Sequence, residues 1–209
     1  MRFLLATTNP AKIQYYGAKL KEQGVSIVTL SDCDIKCSVE ETGRDPVENA
    51  LLKATAYYKA IQIPTIALDD GLFLEQVPDA LQPGPHVRRV NGKRLDDDEM
   101  IAHYISLVNQ YGKNGKLTGH FLKGVAIVNG EEHYTFANKS SRCFTNEQSR
   151  VIHEGYPLDS IQIVPAFQKF KSELTDKEIK ATTDVEYQAI FTFITDTIAK
   201  MEQAYEQKK

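Results

Sequence analysis

The chain opens on an apolar run, Phe3-Leu4-Leu5-Ala6, that stops at Thr7-Thr8-Asn9. A short run of this kind bounded by polar residues predicts a buried strand over 2–6. Pro10 follows where a helix can begin, because its missing N–H does no harm there, and the spacing predicts a helix near 10–22. Ser26–Leu30 predicts a second strand, and a polar, acidic stretch runs from Asp32 to Asp45. The sharpest local signal is Asp45-Pro46-Val47-Glu48: an acid able to cap, a proline at the first helical position, and a glutamate able to complete a capping box. It predicts a helix over 46–61, with Val47, Ala50, Leu51, Ala54 and Tyr58 near one face. Pro64-Thr-Ile-Ala-Leu68 predicts a short strand ending at a turn, Asp69-Asp70-Gly71. Strand, helix, strand in this order implies an α/β core with parallel pairing.

The second half is less regular. Residues 77–95 hold three prolines and two glycines and read as an irregular loop. Asp96-Asp-Asp-Glu99 predicts a helix to about Gln110, its acids well placed in the first turn. Lys116–Val128 and Glu132–Phe144 read as two long strands around Asn129-Gly130. A short strand is expected over Ile161–Val164. A final helix is expected from Thr183 to about Gln203, carrying Ala189, Ile190, Phe193, Ile194 and Ile198.

Composition narrows the class. The 209 residues are 42% hydrophobic with a formal net charge of -3. That is a folded chain with no general attraction to nucleic acid or acidic membranes. No apolar run reaches the roughly 20 residues of a membrane span, and the N-terminus does not read as a secretory signal. Cys33, Cys37 and Cys143 have no zinc-ligand spacing and read as reduced thiols. Together these favour the cytoplasm.

Three segments carry candidate chemistry. Thr7-Thr8-Asn9 and Lys12 surround a helix start, where free N–H groups beside a lysine suit a phosphate; a helix cap explains Asn9 equally well. Glu41 and Asp69 are hard oxygen donors, and Mg²⁺ takes one or two carboxylates plus substrate phosphates. Lys53 lies one turn beyond Asn49, so both can share a helix face. The Asp69 and Thr7–Lys12 segments both follow strand ends, where ligands of open α/β sheets gather. Surface solvation and a turn at a strand end explain the acids singly. His86 and His153 fall in loops, and His103, His120 and His133 have no ligand spacing.

These segments, in this order, resemble the inosine triphosphate pyrophosphatase family. The matches are Ala6-Thr-Thr-Asn-Pro-Ala-Lys12, Glu41-Thr-Gly43, Glu48-Asn-Ala-Leu-Leu-Lys-Ala54, Pro64 to Leu72, and Pro83-Gly84 with Arg89. Weaker matches are Gly155-Tyr-Pro-Leu-Asp159 and Glu173-Leu-Thr175 with Lys180. The resemblance implies a single α/β domain over 1–209 with a long, mixed, twisted sheet flanked by helices. It further implies two lobes, approximately 1–75 plus 150–209 and 76–149, around a central cleft. It implies a homodimer that uses Mg²⁺ to cleave a nucleoside triphosphate to the monophosphate and pyrophosphate, preferring deaminated purines. By position, Thr7, Thr8, Asn9, Lys12 and Lys53 would meet phosphate. Glu41 and Asp69 would serve the metal, with Asp69 also the base. Asp70, Arg89, Tyr156, Asp159 and Lys180 would contact the nucleotide.

The departures are specific. Leu68-Asp69-Asp70-Gly71 stands where the family has Asp-Asp-Ser-Gly, and Asp70 is expected on the strand face opposite Leu68. Asp184-Val-Glu-Tyr187 stands where a Ser-His-Arg-Gly tetrad reads a purine 6-oxo group. A carboxylate accepts and cannot donate to a carbonyl, so a preference other than ITP or XTP is expected. The lost acid also leaves open a catalytically inactive member that binds a nucleotide or a protein.

Overall fold

A computed structural model describes residues 1–35 and 39–207. In chain order the strands and α-helices are β1 (Arg2–Ala6), α1 (Pro10–Glu22), β2 (Ser26–Thr29), α2 (Pro46–Ile61), β3 (Thr65–Leu74), β4 (Arg89–Val90), β5 (Lys93–Arg94), α3 (Asp97–Tyr111), β6 (Lys116–Asn129), β7 (Glu132–Thr145), β8 (Gln162–Val164), β9 (Lys169–Phe170) and α4 (Asp176–Gln207). Seven strands form one sheet in the order β2-β1-β3-β6-β7-β8-β9. β1 pairs in parallel with β2 and β3, while β7–β8 and β8–β9 are antiparallel, so the sheet is mixed as expected. The chain divides into two compact units, 1–70 with 123–138 and 187–209, and 71–122 with 139–186. β3, β6, β7 and α4 each run from one unit into the other.

In the first unit the sheet is buried on both faces, and strict alternation sorts its side chains. Phe3, Leu5, Ile66, Leu68, Val125 and Ile127 pack with Tyr16 and Leu20 of α1 and Ile190, Ile194 and Ile198 of α4. Leu4, Ala6, Ala67, Ala126 and Val128 pack with Ala50, Ala54 and Tyr57 of α2. Successive side chains of a strand point to opposite faces, which is why one apolar run serves two cores. The α2 side is built from small residues and admits the helix closely. Gly124 is the limiting case: a Cβ there would lie 2.3 Å from the Pro46 carbonyl oxygen.

The second unit packs Leu72, Leu74, Met100, Ile101, Tyr104, Leu107, Leu117, Phe144 and Ile161 into its own core. Asp96 and Glu99 form a reciprocal capping box that starts α3. Arg88 pairs with Asp97 at 2.7 Å and donates to the Gly155 carbonyl at 2.8 Å, while Asp97 accepts from the Gly155 N–H at 2.7 Å. The Gly155 N–H and the Arg88 guanidinium together hold the Asp97 carboxyl below its usual range.

Three expectations need correction. β3 does not end at Asp69-Asp70-Gly71 but continues to Leu74, because these acids find partners in place and no turn forms. The 77–95 stretch is not uniformly irregular: Asn91 and Gly92, at φ 51 and 81, join β4 to β5. Two left-handed residues are what a tight hairpin requires. α4 begins seven residues before Thr183, where Thr175 and Glu178 bond reciprocally: Glu178 accepts from the Thr175 N–H at 2.8 Å, and the Glu178 N–H approaches Thr175 Oγ1 at 3.4 Å. Cys33 and Cys143 carry free thiols, and Cys37 lies outside the described residues.

Candidate active site

Asp45 accepts from the N–H groups of Val47 and Glu48 and so starts α2. The cap sets the helix phase. Positions 49 and 53 then fall on one stripe, a turn apart. That stripe meets the end of the parallel ladder, where Ala6 pairs with Ala67 two residues before Asp69. Asn49 Nδ2 donates to Asp69 Oδ2 at 3.1 Å, and Lys53 Nζ lies 2.8 Å from Asp69 Oδ1. Asp69 is 7% exposed and Asn49 fully buried. A charge so placed is stable only when paired and hydrogen-bonded, and each Asp69 oxygen has a partner.

Glu41 enters from the loop before α2. Its Oε1 lies 3.2 Å from Lys53 Nζ, so Glu41 and Asp69 converge on one cation position, held by the lysine ammonium. Asn49 also steadies this loop, accepting from the Gly43 N–H at 2.8 Å. Gly43 is required by the close approach: a Cβ there would lie 2.6 Å from Asn49 Oδ1 and 2.8 Å from Asn49 N.

The Thr7–Lys12 turn forms the adjoining wall. Asn9 Oδ1 accepts from the N–H groups of Ala11 and Lys12 and caps α1, and Thr7 Oγ1 accepts from the Asn9 N–H. Lys12 Nζ lies 2.6 Å from Asp70 Oδ2. Thr7, Thr8, Asn9, Lys12, Glu41, Lys53 and Asp69 line one cavity of about 370 Å³ within the first unit, a volume in the range of small-molecule sites. Leu68, Tyr57, Ile35 and Val39 supply its apolar surface. Asp70 stands on the same strand face as Leu68, not opposite to it: residues two apart share a face, here the α1 side.

The remaining candidates belong to the second unit and none lines this cavity. Arg89 lies on β4 and lines a smaller pocket of about 110 Å³ with His86, His103 and Tyr104; burial pushes the His103 imidazole down. Tyr156 is exposed, Asp159 pairs with Lys171 at 3.1 Å, and Lys180 is exposed on α4. Glu186 is not a free acceptor: it accepts from Arg142 Nη2 at 2.9 and 3.0 Å and from Ser140 Oγ at 3.0 Å.

Comparison with known proteins gives the family. The model of the Ham1 family matches residues 3–196. The chain belongs to the Ham1 family. A dITP/XTP pyrophosphatase of Aquifex aeolicus is 41% identical over 190 residues, covering 85% of this chain and 88% of the relative. That of Bacillus subtilis is 30% identical over 176 residues, covering 84% and 86%. Among solved structures, a nucleoside-triphosphatase / dITP/XTP pyrophosphatase of Mycobacterium abscessus aligns with TM-score 0.72 at 25% identity, covering 92% of this chain and 98% of that one. The Ham1 protein of Staphylococcus aureus aligns with TM-score 0.67 at 24% identity, covering 85% and 88%. The family read from the motifs is thus the family that the Ham1 match and these relatives identify.

Sequence reasoning misses Asn49 as a contact of Asp69, although Asn49 lies four residues before Lys53 on the same helix face. Tyr57, four residues beyond Lys53, could have been found by the same spacing. No helix among the described residues is long and apolar enough to cross a membrane.

Proposed function

We propose that this Ham1-family chain is a Mg²⁺-dependent nucleoside triphosphate pyrophosphatase, releasing a nucleoside monophosphate and pyrophosphate. The observation that carries this is the meeting of Glu41 and Asp69 on one cation position, beside a phosphate-suited turn, in one cavity. Both lysines of the cavity are already paired, Lys53 with Glu41 and Asp69 and Lys12 with Asp70, so a polyphosphate must compete for them, and a divalent cation held by Glu41 and Asp69 would tip the balance toward it.

The residues present fit such an ion. Among the described residues no group of three His, Cys, Asp or Glu side chains gathers as a metal site, but Mg²⁺ needs only one or two carboxylates when phosphate oxygens and water complete its shell. Glu41 and Asp69 would hold it, and it would supply charge neutralisation of the triphosphate. Lys12, Lys53 and the Thr7–Asn9 turn orient the tail. Asp69 takes a proton from the water that attacks the α-phosphorus. The bond from that phosphorus to the bridging oxygen breaks, and pyrophosphate leaves with the electron pair. Lys12 and Lys53 stabilise the charge that develops, the main task in phosphoryl transfer.

Base preference is the second part of the proposal. Asp184-Val-Glu-Tyr187 offers neither the arginine nor the histidine donor expected for a 6-oxo purine, so ITP and XTP are not the best substrates. A homodimer in the cytoplasm, with Arg89, Tyr156, Asp159 and Lys180 serving the nucleotide, belongs to the same reading; sedimentation and single substitutions test these.

The deciding experiment is pyrophosphate release from a panel of nucleoside triphosphates with Mg²⁺, for wild type and Asp69→Asn. Turnover by wild type and its loss in a folded Asp69→Asn supports the reading. Near-normal rates in the variant remove Asp69 from the mechanism. A non-catalytic nucleotide binder is the second reading, favoured by Leu68, which is apolar and buried beside Asp69. Calorimetric nucleotide binding without product would establish it.

A further inference from the structure

The two lysines of the cavity are not equivalent. Lys53 lies between Glu41 and Asp69, the pair that would hold the metal, so with that pair occupied Lys53 would be free for phosphate. Lys12 has a different partner. Asp70 Oδ2 lies 2.6 Å from its ammonium, with the two side chains 32% and 19% exposed. Strand alternation sends Asp69 toward α2 and Asp70 toward α1, so adjacent carboxylates on β3 each engage one lysine. Lys12 lines the cavity and Asp70 does not.

We propose that Asp70 is an internal competitor for the substrate's phosphate on Lys12, opening when a polyphosphate tail arrives and closing on the ammonium as pyrophosphate departs. The proposal deepens the pyrophosphatase reading and rests on it for the identity of the displaced anion. Its physical basis is the modest strength of a partly exposed ion pair. Such a pair is worth little, so a multiply charged tail displaces it readily, yet it is enough to weaken the grip on product. A carboxylate two bonds from the backbone of a central strand is also pre-positioned, and needs only a side-chain rotation to return.

The test is a double-mutant cycle on full-length protein, with Asp70→Asn, Lys12→Met and both together. Inorganic pyrophosphate with Mg²⁺ is the calorimetric probe, alongside steady-state turnover. Asp70→Asn keeps the shape of the side chain and removes its charge. It should bind pyrophosphate about twofold to fivefold tighter than wild type, as loss of a partly exposed pair allows. Product inhibition should strengthen and KM should fall by similar factors. In the Lys12→Met background the gain should vanish. Unchanged or weaker pyrophosphate affinity in Asp70→Asn overturns the proposal, and so does an equal gain without Lys12, which would mean a diffuse charge effect. If wild type hydrolyses nucleotides but Asp70→Asn binds product no tighter, the competitor falls and the pyrophosphatase stands. If the affinities shift as expected but no nucleotide is cleaved, the pyrophosphatase falls and the competitor stands.

Discussion

Asn49 and Asp69, twenty residues apart, are joined by a buried hydrogen bond of 3.1 Å from the carboxamide to the carboxylate. The other end of the same carboxamide accepts from the Gly43 N–H. One neutral side chain therefore ties the loop that carries Glu41 to the strand that carries Asp69. An amide suits the task because it donates at one end and accepts at the other.

Replacing Asn49 by Ala leaves a partly buried N–H at Gly43 without its partner and removes one partner of the buried Asp69 carboxylate. Each unsatisfied group costs about 1–3 kcal/mol. Urea unfolding should therefore register a loss of at least that size, with pyrophosphate release falling about tenfold or more. Wild-type stability and turnover in Asn49→Ala would show that water replaces the amide without penalty.

Gly43→Ala tests the loop separately. The added methyl cannot fit beside Asn49 without moving the backbone. Displacing an outer-shell support of a metal site typically weakens metal affinity by about 10–100-fold. The Mg²⁺ concentration for half-maximal turnover should rise by a factor in this range. An unshifted Mg²⁺ titration would separate the Gly43 loop from the metal.

Glu178 gives a pH prediction for the fold. The Thr175 backbone N–H, with Lys169 and the Thr175 hydroxyl, lowers its carboxyl from 4.5 to about 2. A group whose folded pKa is depressed contributes stability above the unfolded value and loses it as pH falls toward the folded one. The thermal-unfolding gap between wild type and Glu178→Gln should be constant above about pH 4.5 and close progressively toward pH 2. A gap independent of pH over that window would mean that the charge of Glu178 does not hold the start of α4.

Much of the first unit was legible along the chain. Asp45-Pro46-Val47-Glu48 places α2 because a cap and a proline act on hydrogen-bonding groups only two or three residues away, although Glu48 accepts from the Arg44 N–H instead of closing a capping box on Asp45. Phe3 to Ala6 marks β1 because burial on both faces needs no distant information. The same kind of local signal was present but unread at Asn91-Gly92 and at Thr175-Asp-Lys-Glu178, where a hairpin and the true start of α4 lie.

Asp69-Asp70-Gly71 shows the opposite case. By composition it is a turn, since two like charges followed by glycine resist a strand interior. In the structure it is strand, because Asn49 and Lys53 from α2 and Lys12 from α1 reach these carboxylates from opposite faces. The Glu186 carboxylate is likewise an open acceptor on paper and a partner of Arg142 in space. Helix starts, strand periods and the acid and lysine inventory follow from neighbours a few residues apart, so the chain alone dictates them. Which lysine each acid meets, and which acid stays available, depends on side chains brought together from distant positions, and only packing sets those distances.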